Sequence, residues 1–302
     1  MGMTTKEEDF VEHLFIASTL SYILFFTDAG KVYWLKVHEI PQAGRMTRGK
    51  AIVNLLNLSG NEKITAILPV RAFEEGKYVL MATKQGVIKK TDLMSYSHPR
   101  LGGIIALSLD EKDQLISACL TDGTKEVLLS SREGKAIHFV EGDVRDMGRA
   151  ARGVKAITLG KDDFLVSMDI LSPGAVGSSI LSATENGFGK RSPIEDYRLQ
   201  SRGGKGIITV KTTARNGKLV GTQQITDQDE VMLITDRGKI IRLRCGEIRL
   251  SSRNTQGVKL IELESGERMM AVARLAEREE EGNGQEGEEV PEGHPPSLSP
   301  EP

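Results

Sequence analysis

Disulfides, long apolar runs and helical periodicity are all missing from this sequence, and each gap narrows what the chain can be. Only two cysteines occur among 302 residues, Cys119 in "LISACL" and Cys245 in "IRLRCG". Both lie within apolar runs, which argues against a disulfide framework and for a reducing, cytoplasmic compartment. Nowhere do eighteen uncharged apolar residues follow one another, and "MGMTTKEEDF" at the start has no apolar core behind a basic end. Neither a membrane span nor an export signal is therefore read. Apolar residues recur at three and four over no long window, which leaves strands as the building material.

Catalytic signatures are absent as well. The five histidines (His13, His38, His98, His138, His294) do not cluster with cysteine or carboxylates at metal-ligand spacing. The paired carboxylates Asp162 and Asp163, like Glu7 and Glu8, fall in polar turns before strands, and no triad or acid and base pair is found. The stretch "RGGKGIITVK" has the wrong spacing for a phosphate loop of nucleotide hydrolases and runs into a strand instead of a helix. No cofactor, no metal and no activity of the isolated chain are expected.

What is present is a charge division. Residues 277–302 contain nine Glu and one Arg, whereas residues 1–276 contain 39 basic and 33 acidic residues, a net +6. The reading is a folded basic domain over 1–276 and a disordered acidic tail over 277–302. Two roles stay open for the tail: a solubilising appendage, or an acidic strip that competes with DNA for the basic surface.

The chain also repeats itself. "ILFFTDAGKVYWLK", "VLMATKQGVIKK", "VLLSSREGKAIHF", "ILSATENGFGKR" and "VMLITDRGKIIRLR" share an apolar run, a Thr or Ser, a polar turn with Gly, and a second run. The turn glycines are Gly30, Gly86, Gly134, Gly187 and Gly238, a period near fifty residues, and each unit reads as a β-hairpin. A second glycine follows 17 to 19 residues later, at Gly49, Gly103, Gly153, Gly206 and Gly257. A third apolar strand closes each unit, as in "KITAILPV" and "QLISACLT". The N-terminal "EDFVEHLFIAST" reads as a strand of this third kind, giving five complete units and the last strand of a sixth. Units of this size with several strands suggest blades around an axis, because one small sheet cannot cover its own apolar face.

Each loop carries an arginine one to four residues before its second glycine: Arg48, Arg100, Arg152, Arg202 and Arg253. Arg45 and Arg149 lie further back in two of these loops, and Lys50, Lys155, Lys205 and Lys259 lie close by. Lys89, Lys90, Lys190, Arg191, Arg242 and Arg244 sit in the second hairpin strands. Radial repetition would set the loops on one rim as a band of positive charge suited to a phosphate backbone. The alternative for any one loop is that Arg caps strand ends by reaching carbonyls while Gly takes a left-handed turn.

The stretches "KEEDFVEHLFIAST", "GKAIVNLLNLSGNEKITAILPV", "GFGKRSPIEDYR" and "RNTQGVKLI" occur in order along nearly the whole chain. Through them it resembles the C-terminal domain of the DNA-cleaving polypeptide of bacterial DNA gyrase, gyrase A. The resemblance implies an all-β, six-bladed β-pinwheel that wraps double-stranded DNA around a basic rim. It also implies partners, the remainder of gyrase A and the ATP-hydrolysing gyrase B, and no membrane. Gln200, Arg202, Gly203, Gly204, Lys205 and Gly206 fit the family's box, with Ser201 in its second place, but in the fourth complete unit instead of the first blade. The family's own box would precede Lys6, so the expectation is five complete repeats plus a truncated first blade lacking that hairpin. The family's cleavage tyrosine and metal ligands belong to parts that the resemblance does not reach. Expected DNA-binding residues are Arg45, Arg48, Lys50, Arg100, Arg149, Arg152, Lys155, Lys190, Arg191, Gln200, Arg202, Gly203, Gly204, Lys205, Gly206, Arg242, Arg244 and Arg253. The related C-terminal domain of topoisomerase IV and a protein-interaction propeller are the alternatives.

Overall fold

The computed structural model describes residues 17–42, 51–174 and 177–275. The first unit contains strands β1 (Tyr22–Thr27), β2 (Lys31–Lys36) and β3 (Ile64–Val70). The second contains β4 (Tyr78–Thr83), β5 (Val87–Asp92), the two-residue β6 (Ile104–Ile105) and β7 (Leu115–Thr121). The third repeats the plan with β8 (Glu126–Ser131), β9 (Lys135–Val140), β10 (Val154–Lys155) and β11 (Leu165–Leu171). The fourth has β12 (Ser179–Thr184), β13 (Phe188–Pro193), β14 (Ile207–Ile208) and β15 (Leu219–Ile225). The fifth has β16 (Glu230–Thr235), β17 (Ile240–Arg244), β18 (Val258–Lys259) and β19 (Met269–Arg274). The only helical pieces described are single 3-10 turns, most of them just after a hairpin.

The hairpins form where the glycine pattern places them. In the first, Gly30 donates to the Thr27 carbonyl at 2.9 Å and takes φ +74°, the left-handed conformation that glycine adopts without steric cost. The Thr before the turn is buried because its hydroxyl works there: Thr83 Oγ1 accepts the Val87 N–H at 3.2 Å, and Thr235 Oγ1 accepts that of Lys239 at 3.2 Å.

Strand pairing then departs from a self-contained blade. The sheets run β3-β1-β2-β6, β7-β4-β5-β10, β11-β8-β9-β14, β15-β12-β13-β18 and β19-β16-β17. The outermost strand of each four-stranded sheet is thus donated by the next unit. Among the described residues the fifth sheet has three strands, with β17 at its edge. The expected six blades are corrected to five, because each sheet is seeded by a hairpin and five hairpins are described. The N-terminal strand assigned to the truncated blade falls on residues 8–19, mostly outside the described residues.

The inner strands β3, β7, β11, β15 and β19 pack in succession around a central cavity of about 630 Å³, which residues of all five sheets line. Apolar side chains fill the space between neighbouring sheets. Leu24, Phe26 and Val32 meet Val79 and Met81, and Leu80 and Ile88 meet Val127 and Leu129. A sheet held between two others buries both faces, so β4 and β8 read as continuous apolar runs. Among the described residues no helix is long and apolar enough to cross a membrane.

Candidate nucleic-acid interface

The loops that follow the hairpins are tied to one another. Ser108 N–H donates to the Ala151 carbonyl at 3.3 Å, Thr158 N–H to Gly204 at 2.8 Å and Lys211 N–H to Thr255 at 2.9 Å. Ser108 Oγ and Thr158 Oγ1 reinforce the first two contacts, reaching Ala150 O at 2.8 Å and Gly203 O at 2.7 Å. The loops of units two to five thereby form one hydrogen-bonded belt. Residues 97–108, 145–158, 198–211 and 249–259 contain twelve lysines and arginines against one acid, Asp146. Arg100, Arg145, Arg152, Lys155, Arg198, Lys205, Arg249 and Lys259 are exposed.

The belt glycines serve the joint between units. Gly206 has φ +68°, and a Cβ there would lie 2.5 Å from the Ala136 carbonyl oxygen. Only a residue without a side chain lets the loop approach β9 closely enough for β14 to pair with it.

The arginines divide into two kinds. Arg202 is half-buried, its Nε donating to Asp143 O at 2.9 Å and its Nη1 to Lys155 O at 3.0 Å. Arg253 repeats the second contact one unit on, Nη1 reaching Ile208 O at 2.7 Å. Both do what the strand-capping alternative describes, clamping the end of the strand that the preceding unit donates. Arg152 keeps a 73% exposed side chain and pairs with Asp110 at 2.7 Å, while Arg149 is half-buried. Gln200 donates its backbone N–H to His138 O at 2.8 Å, and Gly203 its own to Ala156 O at 2.6 Å. The residues of the box thus pack the fourth loop against the third unit, and Lys205 is its one charged residue that stays exposed.

Two expected rim residues lie inside the fold. Lys190 is 1% exposed, and its Nζ donates to Ser192 Oγ at 2.9 Å and to Ser252 O and Arg253 O at 2.6 Å each. Lys89 matches it in the second sheet, donating to Ala106 O at 2.6 Å and to Arg149 O. Burial lowers both ammonium groups to about 8. Arg191 is 6% exposed, donates through Nε to Ile248 O at 2.7 Å and pairs with Asp227. These charges hold neighbouring units together, so Lys190 and Arg191 leave the surface set. Arg242 and Arg244 stay outside on β17, both paired with Glu230. Arg45, Arg48 and Lys50 lie outside the described residues.

Arg191 belongs to a set whose members differ in chemistry. Four residues past each turn glycine, Trp34 Nε1 donates to Tyr96 O at 2.8 Å and Lys90 Nζ lies 3.5 Å from Glu141 O. His138 Nδ1 donates to Tyr197 O at 2.6 Å, and its Nε2 meets Glu126 at 2.9 Å. Each pins its own sheet to the turn that follows the next hairpin.

The sequence reading missed Arg145, Arg198 and Arg249. They stand eight residues before Gly153, Gly206 and Gly257, an offset shared by three of the five units.

The profile of the family described as "DNA gyrase C-terminal domain, beta-propeller" matches residues 21–71, 77–118, 125–172, 178–226 and 229–276, one segment per hairpin unit. The chain belongs to this DNA gyrase C-terminal domain family. Among similar proteins, the DNA gyrase A polypeptide of Salmonella typhimurium is 48% identical over 272 residues, covering 90% of this chain and 31% of the relative. That of Staphylococcus aureus is 40% identical over 292 residues, covering 96% of this chain and 33% of the relative. The chain thus spans about a third of the curated relatives it matches. Of solved structures, the C-terminal domain of DNA topoisomerase IV aligns with TM-score 0.79 at 28% identity, covering 85% of this chain and 80% of that one. The DNA gyrase A C-terminal domain aligns with TM-score 0.75 at 25% identity, covering 86% and 84%.

Proposed function

We propose that the chain is the DNA-wrapping domain of a gyrase A polypeptide, binding duplex DNA along the loop belt and bending it around the rim of the sheets. The observation that carries this reading is the continuity of the belt, four loops joined by hydrogen bonds and carrying twelve cations against one acid. Charge at regular intervals along a curved edge suits a backbone that offers one phosphate after another and requires no base reading. Arg100, Arg149, Arg152, Lys155 and Lys205 are the contacts retained from the sequence reading, with Arg145, Arg198 and Arg249 added. Arg45, Arg48 and Lys50 are proposed as the first unit's share. In this role the chain breaks no strand itself; it works in the cytoplasm with the rest of gyrase A and with gyrase B to support negative supercoiling. The acidic stretch 277–302 competes with DNA for the basic surface.

The test is to ligate nicked plasmid circles with rising protein, remove the protein and read the linking number. A shift that grows with protein is expected. Binding in a mobility gel with no shift would overturn wrapping and leave plain association.

A further inference from the structure

Each donated strand meets the hairpin strand it completes through two residue pairs, and one pair has the same composition at every joint. Lys31 lies opposite Ile105, Lys155 opposite Val87, Lys135 opposite Ile208 and Lys259 opposite Phe188. Every joint therefore holds one lysine and one apolar residue. The lysine alternates: it comes from the hairpin in the first and third sheets and from the donated strand in the second and fourth.

Directly opposed residues share one face of a sheet, where two lysines would repel and an apolar partner shelters a lysine's methylene stem. What stays constant is the charge at the joint, not the residue at a sequence position. Counting from the turn glycine hides this, because the next position reads Lys31, Val87, Lys135, Phe188 and Lys239.

These lysines reach solvent. Lys155 and Lys259 are exposed, Lys31 and Lys135 half-buried, and Ile105 and Ile208 are 52% and 42% exposed beside them. Beside the first joint Lys31, Ile105, Arg100 and Arg149 line a groove of about 680 Å³. Lys31 pairs with Glu62 at 2.9 Å and Lys259 with Glu262 at 3.3 Å, whereas Lys135 and Lys155 enter no ion pair among the described residues. Arg202 and Arg253, by contrast, are turned onto carbonyls.

We propose that Lys31, Lys155, Lys135 and Lys259 form a phosphate track of one contact per joint on wrapped duplex DNA, Lys155 and Lys259 coming from the loop belt and Lys31 and Lys135 from the hairpins beside it. This rests on the reading of the chain as a DNA-wrapping domain. Charge at the joint is what the track requires, whichever strand supplies it.

The experiment is a position swap. Binding to a linear duplex is followed by fluorescence anisotropy across a salt series for the wild type, Lys135→Ile and Lys135→Ile/Ile208→Lys, with Lys155→Gln as a second single variant. Each phosphate contact contributes roughly 0.9 to the slope of log affinity against log salt. Both single variants are expected to lose about that much slope and the swap to regain it, with thermal melting unchanged throughout. Unchanged slopes in both single variants, or a folded swap that stays at the single-variant slope, overturns the track. A wild type whose affinity ignores salt overturns the DNA reading itself.

Discussion

Arg191 on β13 and Arg242 on β17 hold the same register, opposite Leu181 and Met232, yet Arg191 is 6% exposed and the Arg242 side chain is 65% exposed. The rest of the two strands follows suit: all of β13 up to Ser192 is buried, whereas Ile240, Arg242 and Arg244 on β17 are open to solvent. The difference lies in the neighbour. β13 has β18 at its edge and the fifth sheet against its face; β17 has neither among the described residues. At this register a basic residue of the second hairpin strand is a pin where a unit follows it and a surface charge where none is described after it.

The largest effect expected from this contrast is in stability. Arg191→Ala would leave the Ile248 carbonyl without its donor and a void between the fourth and fifth sheets, a cost of about 2–3 kcal/mol in urea unfolding. An equal cost for Arg242→Ala would break the comparison, because that residue is paired with Glu230 at the surface.

A second test attacks the kind of joint that β17 does not have among the described residues. Gly206→Ala combines a positive φ with a close approach to Ala136 O and is expected to cost about 1–3 kcal/mol. Gly204→Ala, with no atom nearer than 3.6 Å to the added carbon, is the control and should stay near wild type.

The third test uses pH. In the fold Lys89 and Lys190 give up their protons near 8, whereas an unfolded chain keeps them to about 10.5. Between those values the unfolded state binds more protons, so stability rises with pH. The buried thiols of Cys119 and Cys245, pushed up to about 11, act in the opposite sense above pH 9. Urea midpoints taken between about pH 7.5 and 9 should therefore rise less in Lys190→Met than in the wild type. Parallel profiles would show that Lys190 carries no such burden. The fifth sheet has Ile241 at this position and contributes nothing to the effect.

The smallest effect is the one expected of Arg242→Ala itself, within about 0.5 kcal/mol of wild type. Hydrogen exchange sharpens the same point, since β17 amides that face away from β16 should exchange well before those of β13.

The hairpins were legible because their turns announce themselves: a Thr or Ser, two polar residues and Gly fix both strands and their register. The third strands were legible as apolar runs. The donated strands were not, since two residues such as Ile207 and Ile208 make no pattern, and their pairing with the preceding unit is a tertiary choice. The rim was legible as charge, but Lys190 and Arg191 were placed on it for the same reason. Composition counts a buried lysine and an exposed one alike, and only the carbonyls converging on Lys190 tell them apart. Arg202 shows the limit most sharply, because the residue that best fits the family's box is held against Asp143 and Lys155 by its own fold.

The donated strand gives the assembly a direction. Among the described residues units two to five each offer a short strand backward and units one to four each receive one from ahead, so the described array has a direction, as a polymer with polarity does. In the described sheets Gly187 O receives Leu260 N–H at 2.8 Å, and every earlier turn glycine receives its counterpart, while Gly238 stands at the receiving end. Among the described residues the array ends in one three-stranded sheet, and losing the last unit would make the one before it the new end. The number of blades can therefore change between relatives without any new kind of contact being invented.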